Sequence, residues 1–275
     1  IFDISGSSGN PTISVLSGDG FGGGTVVLGN RTLTVDSGSF GGAITGAGGL
    51  TINGATTLTG VSSYSGPTII SGGRLYLDRA GSIANSAVTM VSHGGLDISS
   101  TTAGASIASL SGDASAQVFL GGPGQAFTIG QTLTLTDANG TFAGTFLGSG
   151  GLAIAAGTET LSGASGAGYT GPTTIAAGAR LALASSTANQ GIISASSTVF
   201  DNGALDISGV QAGTPITGLS GTGAVVLGGN TLTLTSSSST FAGTISGTGG
   251  ITLTGGTQGL TGVHTYSGGT TVSHA

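Results

Sequence analysis

Few residues in this chain could do chemistry. They are the acids Asp3, Asp19, Asp36, Asp78, Asp97, Asp113, Asp137, Glu159, Asp201 and Asp206, and the histidines His93, His264 and His274. Cleavage of a glycosidic bond needs two carboxyl groups about 5 to 9.5 Å apart. Asp3, Asp97 and Asp206 recur in one phrase, "FDIS" at 2–5 and "LDIS" at 96–99 and 205–208. They are therefore equivalents of one another, read as corner or outward polar residues, and not partners in one site. Asp201 and Asp206 stand nearer each other, but "DNG" marks Asp201 as a turn residue. Asp36 and Asp137 fall at the ends of strand-like stretches. No histidine has metal-ligand spacing such as H-E-x-x-H, and all three read as exposed turn residues. The nearest approach to a solenoid calcium loop is "GGPGQA" at 121–126, with Ala126 where the aspartate ligand belongs. There is no G-x-S-x-G elbow, and a phosphate-binding loop of the Walker type needs a lysine, which the chain lacks. The expectation is no catalytic residue, no cofactor and no metal.

Composition removes other classes. The only cations are Arg31, Arg74, Arg79 and Arg180, and the net charge is -6. A nucleic-acid binder needs Lys or Arg to neutralise phosphates, and a basic membrane-surface helix needs them too. No apolar run approaches the ~18 residues of a spanning helix. Cysteine is absent, so there is neither a disulfide framework nor a thiolate site. Sequons at Asn30 and Asn139 are read as incidental. With 58 glycines the chain could be taken for disordered, but the apolar fraction is 37% and the mean hydropathy +0.41, the opposite of the disordered signature.

The elements that carry these residues are repeated. Phe40, Phe142 and Phe241 stand ten residues before Leu50, Leu152 and Ile251. Tyr64, Tyr169 and Tyr266 follow further on, each after an "L(T/S)G" phrase that begins at Leu58, Leu161 or Leu260. "LSG" at 16, 110 and 219 and "LT(V/L)" at 33, 133 and 232 keep the same phase. The unit is about one hundred residues long, and a little under three copies are present, with approximate bounds 1–94, 95–203 and 204–275. Inside each unit, apolar-x-apolar triplets begin at Leu33, Leu50, Leu75, Leu96, Leu133, Leu152, Leu181, Leu205, Leu232 and Ile251. Such alternation is a half-buried strand. Gly, Ser and Asn clusters between the triplets are turn chemistry, and no useful length shows the helical period. Sandwiches and barrels place strand signals every 8 to 12 residues. Strands every ~20 residues instead fit coils stacked along one axis, each completed by its neighbours. The fold expected is all-β: a right-handed parallel β-helix (solenoid) of about twelve coils, one body over 1–275, without long helices. Serine and threonine are expected at outward positions.

The phrase "FAGTISGTGGITLTGGTQGLTGVHTYSGGTTVSHA" resembles the autotransporter-associated β-strand repeat of passenger domains secreted by the type V route in Gram-negative bacteria. Its pattern is F-x-G-x-I-x-G-x-G-G-L, then L-x-G-x-x-x-Y-x-G-G-T. The copies at 40–75 and 142–181 fit with Pro67 and Pro172 in place of the second glycine after the tyrosine. The resemblance covers about 40 residues of each unit. It implies a right-handed parallel β-helix at the cell surface or released outside the cell, a stalk role, and no catalytic residue in the repeat.

The leading expectation is therefore a non-enzymatic structural or adhesive stalk. Its partners would be neighbouring β-helix repeats, copies of itself end to end, or host or matrix surface glycans; nucleic acid and membrane insertion are not expected. The alternative is a subunit of an extracellular filament stacked end to end, because solenoid ends expose strand edges. The array opens within one phrase and stops short of another, so continuation into further repeats or another subunit is expected. Two weaker alternatives remain: a polysaccharide-active enzyme, and an ice-binding solenoid using threonine rows such as "TLTLT" at 132–136 and 231–235. For the recurring tyrosines, internal packing is weighed against an exposed ladder that grips sugar chains.

Overall fold

A computed structural model describes residues 1–18, 23–122, 129–163, 168–184 and 193–273. The described chain is all-β, with parallel strands wound into a solenoid of about twelve turns and no helix. No helix is long and apolar enough to cross a membrane. Each coil meets three faces in order. The second face carries one uninterrupted sheet of 12 strands, from Thr12–Ile13 to Thr244–Ser246. The first face is broken into sheets of 3, 6 and 2 strands, and the third into sheets of 8 and 4.

The triplets form strands because one residue in two can be buried. Leu33–Val35, Leu50–Ile52, Leu133–Leu135, Leu152–Ile154 and Leu232–Leu234 all bury their outer two residues and leave the middle one half-exposed. Leu33 pairs with Leu50, and Leu50 with Thr68, so inward residues stack in file along the axis. Each fully buried Leu or Ile contributes about 1.5–3 kcal/mol through removal of its surface from water. Strands with a single inward residue, such as Thr25–Val27 around Val26 and Ala43–Thr45 around Ile44, complete the coils. They have no triplet signal, which is why the sequence suggests about one strand per ~20 residues where the structure has three short ones.

The sequence unit and the coil are out of phase. Leu33 lies on the second face, Leu133 on the first and Leu232 on the third. Phe40, Phe142 and Phe241 fall on the third, second and first faces, and Asp3, Asp97 and Asp206 on the first, third and second. Each unit thus ends one face short of five whole coils, and every repeated residue turns by one face per unit.

The "F-x-G" phrase has a steric cause. Phe40, Phe142 and Phe241 are buried, and each ring folds across the glycine two residues on. A Cβ on Gly42, Gly144 or Gly243 would lie 2.5, 2.6 or 2.6 Å from the ring Cζ and would also strike a backbone carbonyl of the preceding coil. Gly144→Ala is therefore expected to destabilise by about 1–3 kcal/mol, the usual cost of overpacking. Gly9→Ala, with nothing near its added carbon, is expected to change stability by less than about 0.5 kcal/mol. Urea unfolding of both variants checks the contrast.

Candidate functional site

The recurring tyrosines mark the places where a face loses its sheet. Tyr64 ends the first of two successive segments of the first face, 61–64 and 80–84, that have no named strand. There a buried polar chain joins the coils beside the backbone bonds that continue from Ser63, Tyr64, Ser65 and Gly66 to the preceding coil. Tyr64 Oη lies 2.6 Å from Thr68 Oγ1, which lies 2.7 Å from Ser86 Oγ, and the Ser86 hydroxyl donates to the Gly66 carbonyl at 2.7 Å. Tyr169, Thr173, Ser196 and the Gly171 carbonyl repeat this at 2.6, 2.9 and 2.9 Å. Tyr266 keeps its contact with Thr270 at 2.6 Å. Burial pushes the Tyr64 phenol up to about 12 against its two hydroxyl partners, and pushes that of Tyr169 higher still. With Tyr64 and Tyr169 wholly enclosed and on different faces, no exposed tyrosine ladder exists; this removes the sugar-gripping alternative for these rings.

Asp3, Asp97 and Asp206 also share one local geometry. The Oδ1 of each accepts the backbone N–H of the serine two residues on, at 2.8, 3.0 and 2.8 Å. The "DIS" phrase thus makes the same Asx turn in each unit. Asp3, exposed, and Asp206, buried, end their strands at a corner, whereas the buried Asp97 lies inside the strand Gly95–Thr101, where the pairing register shifts. Hydrogen bonds from the Ser5 hydroxyl and N–H hold Asp3 below the usual carboxylate range, and Ser115 does the same for Asp113. Arg74 pairs with Asp97 at 3.5 Å, and Arg180 with Asp206. Both pairs join one coil to the next.

Around Arg74 the surface departs from the repeat. Its guanidinium carbon lies 3.7 Å from the Phe119 ring centre and 5.7 Å from that of Tyr76. Gly95 leaves the space across which Arg74 lies. Sequence reasoning passed over Tyr76 and Phe119. The signal available was that Tyr76 is the one tyrosine of four outside the repeated phrase.

The other candidates do not converge. The Oδ1 of Asp36 accepts a hydrogen bond from Asn53 at 3.0 Å on the surface. Asp201 is a turn residue as read, accepting the Gly203 N–H at 3.0 Å, but it is also fully buried, with Oδ2 unpartnered. His93 occupies an exposed turn with φ 67°. His264 is half-buried, not exposed: it takes the place of the inward Ser62, and neither ring nitrogen has a partner. Asp19, His274 and residues 123–126 of the calcium-like phrase lie outside the described residues. Among the described residues no group of three or more His, Cys, Asp or Glu could hold a metal. The threonines of the "LT" phrases, Thr34, Thr134 and Thr233, are on three different faces, so the repeat builds no single flat threonine surface. Outward threonines do form short rows, such as Thr233, Thr252 and Thr271.

One inward position is polar in every unit. It lies two residues before the repeated leucine and is occupied by Thr56, Glu159 and Gln258. Gln258 is satisfied: it accepts from Ser237 at 2.5 Å and donates to the Leu219 carbonyl at 3.0 Å. Thr56 Oγ1 and both Glu159 oxygens have no partner. Burial pushes Glu159 up to about 8, opposed in part by the backbone at Gly140 and Leu110.

The fold and these sites define an all-β, parallel β-solenoid repeat protein whose enclosed polar groups serve its coils. No protein-family model, curated protein or solved structure matches the chain.

Glu159 and, by the same cause, Asp201 (raised to about 6) hold protons more tightly folded than unfolded. Their burial is cheapest where both states are protonated, below about pH 4. Stability then falls as pH rises, through about 6 for Asp201 and about 8 for Glu159. The Glu159 part is on the order of a few kcal/mol. Glu159→Gln, which copies Gln258, is expected to flatten the fall between pH 6 and 8. Thermal melts across that range check it, and an unchanged slope would count against this assignment.

Proposed function

We propose that this chain is a non-enzymatic structural segment of a surface-displayed or secreted β-helix, acting as a stalk whose sides serve adhesion. The observation that carries the reading is the unbroken sheet of 12 parallel strands on the second face, which runs through all three sequence units. At a strand spacing of about 4.8 Å, such a stack is a rod on the order of 55–60 Å long. A solenoid of this kind supplies length and stiffness because each coil contacts only its neighbours. The repeat resemblance supports the surface or extracellular placement. The buried Asp201 and Glu159, enclosed in the core, are poorly placed to meet a polymer substrate.

A second reading is a filament subunit, because parallel coils pair edge to edge whether or not they belong to one chain. Phe2–Asp3 and Thr270–Val272 pair on one side only, and Ile1, Phe2, Val15, Val263 and Val272 are exposed. Open strand edges invite another edge, and the chain has no lysine to guard them. Coils of the same construction, in the same chain or in a second copy, are the partners that fit.

Negative-stain electron microscopy across a concentration series separates the two. The stalk reading expects discrete rods of constant length; fibres that lengthen with concentration would replace it with the filament. Polysaccharide turnover abolished by Asp201→Ala would overturn both.

A further inference from the structure

The break in the first face opens a surface groove of about 270 Å³. It lies where residues 80–84 replace a strand, beside Ala105–Ile107 and Leu133–Leu135. Its polar lining is Arg79, Ser82, Thr102, Ser106, Thr132 and Thr134, and the rest is Ala and Gly. Gly104, with φ +81°, lets this corner approach the backbone of Thr132. Ser106 and Thr134 are direct partners across the ladder, so their hydroxyls stand on rigid strands.

Arg79 is the charged member. It is exposed, and among the described residues it has no carboxylate partner, unlike Arg74 and Arg180. Its backbone is left-handed, φ 57°, a conformation that costs a non-glycine residue energy and recurs at functional positions. The Thr102 N–H and hydroxyl both donate to the Arg79 carbonyl, at 2.9 and 3.1 Å, which pins the turn from which the side chain extends. Neither Tyr76 nor Arg79 recurs in the next unit, where Ala182 and Ser185 stand in the aligned places after Arg180. The break belongs to the repeat, but the arginine beside it does not.

A permanently charged planar fork suits a carboxylate, which it can engage through two parallel hydrogen bonds. The hydroxyls around it donate and accept, as sugar hydroxyls require. No aromatic or acidic residue lines the space. Its volume is just under the ~300–1,000 Å³ of sites for drug-sized ligands, which suits a single sugar ring. The net charge of -6 offers no general attraction for anions, so recognition must be local. We propose that this groove binds a carboxylate-bearing sugar of an acidic polysaccharide, with Arg79 on the carboxylate and Ser82, Thr102, Ser106, Thr132 and Thr134 around the ring. This names a ligand for the adhesive side of the stalk and rests on that reading.

The test is calorimetric titration of the full chain with oligogalacturonate and with the same oligosaccharide methyl-esterified. The acidic form is expected to bind at least tenfold more tightly. Arg79→Gly is expected to lower its affinity at least tenfold without lowering the melting temperature, because glycine suits the left-handed backbone. Arg31→Ala is expected to leave binding unchanged. Equal binding of both oligosaccharides, no binding of the acidic one, or full retention in Arg79→Gly would each overturn the proposal. Discrete rods that do not bind would remove the groove assignment and leave the stalk; binding by a chain that forms no rods would remove the stalk.

Discussion

A coil of this solenoid has no interior of its own. Its inward residues are covered only when the coil above and the coil below lie one parallel-strand spacing away, about 4.8 Å. Everything else in the structure answers to that distance. Leu33 and Leu50 stack in file as apolar residues, and where a polar residue enters the file, as Thr68 does after Leu50, its hydroxyl is hydrogen-bonded inside. Gly42, Gly144 and Gly243 must lack a Cβ, because a phenylalanine ring and the backbone of the preceding coil already occupy the space. Where the named strands are interrupted, backbone bonds to the adjacent coils continue, and each Tyr–Thr–Ser chain adds a serine donor for one carbonyl, that of Gly66 or Gly171.

The same constraint separates internal polar groups from surface ones. Tyr64, Tyr169, Glu159 and Asp201 look like candidates for chemistry when met in a list of residue types, yet all four are enclosed. Gln258 shows how the polar core position is satisfied when the side chain can both donate and accept. Glu159, at the same position, can donate only when protonated, which is consistent with its raised pKa. The surface chemistry is gathered where the chain leaves its pattern: Arg74 with Asp97, Phe119 and Tyr76, and the groove beside Arg79. In a chain with so few charges, placing two of its four arginines on one short strand, Arg74–Arg79, concentrates much of what the surface can recognise.

The phase between unit and coil bears on how such a rod could present itself. If a unit filled whole coils, each repeated residue would form a ladder along one face. Here each unit falls one face short, so Phe, Tyr, Asp and the "LT" threonines spiral around the rod. Breaks in the sheet spiral with them, and no face is weakened in two successive units. The second face keeps all 12 strands because the break of the first unit falls on the first face and the sheet of the third face ends in the second unit. This gives a physical reason why a repetitive sequence need not make a repetitive surface.

The architecture was legible in the sequence because it depends on local rules. Alternation at Leu33–Val35 or Leu232–Leu234 makes strands whatever their neighbours. Glycine clusters make corners, and the "DIS" phrase makes the same Asx turn in each unit. The repeat length was legible too. What the sequence could not disclose was the number of faces in a coil, since strands such as Ala43–Thr45 bury one residue and carry no pattern. That number decides which repeat falls on which face, that Tyr64 and Tyr169 point inward, and that Arg79, Thr102 and Thr134 share a groove. The groove residues among them stand 23 to 55 positions apart. They arise only when the coils are stacked, because the distance between them is set by the ladder and not by the chain.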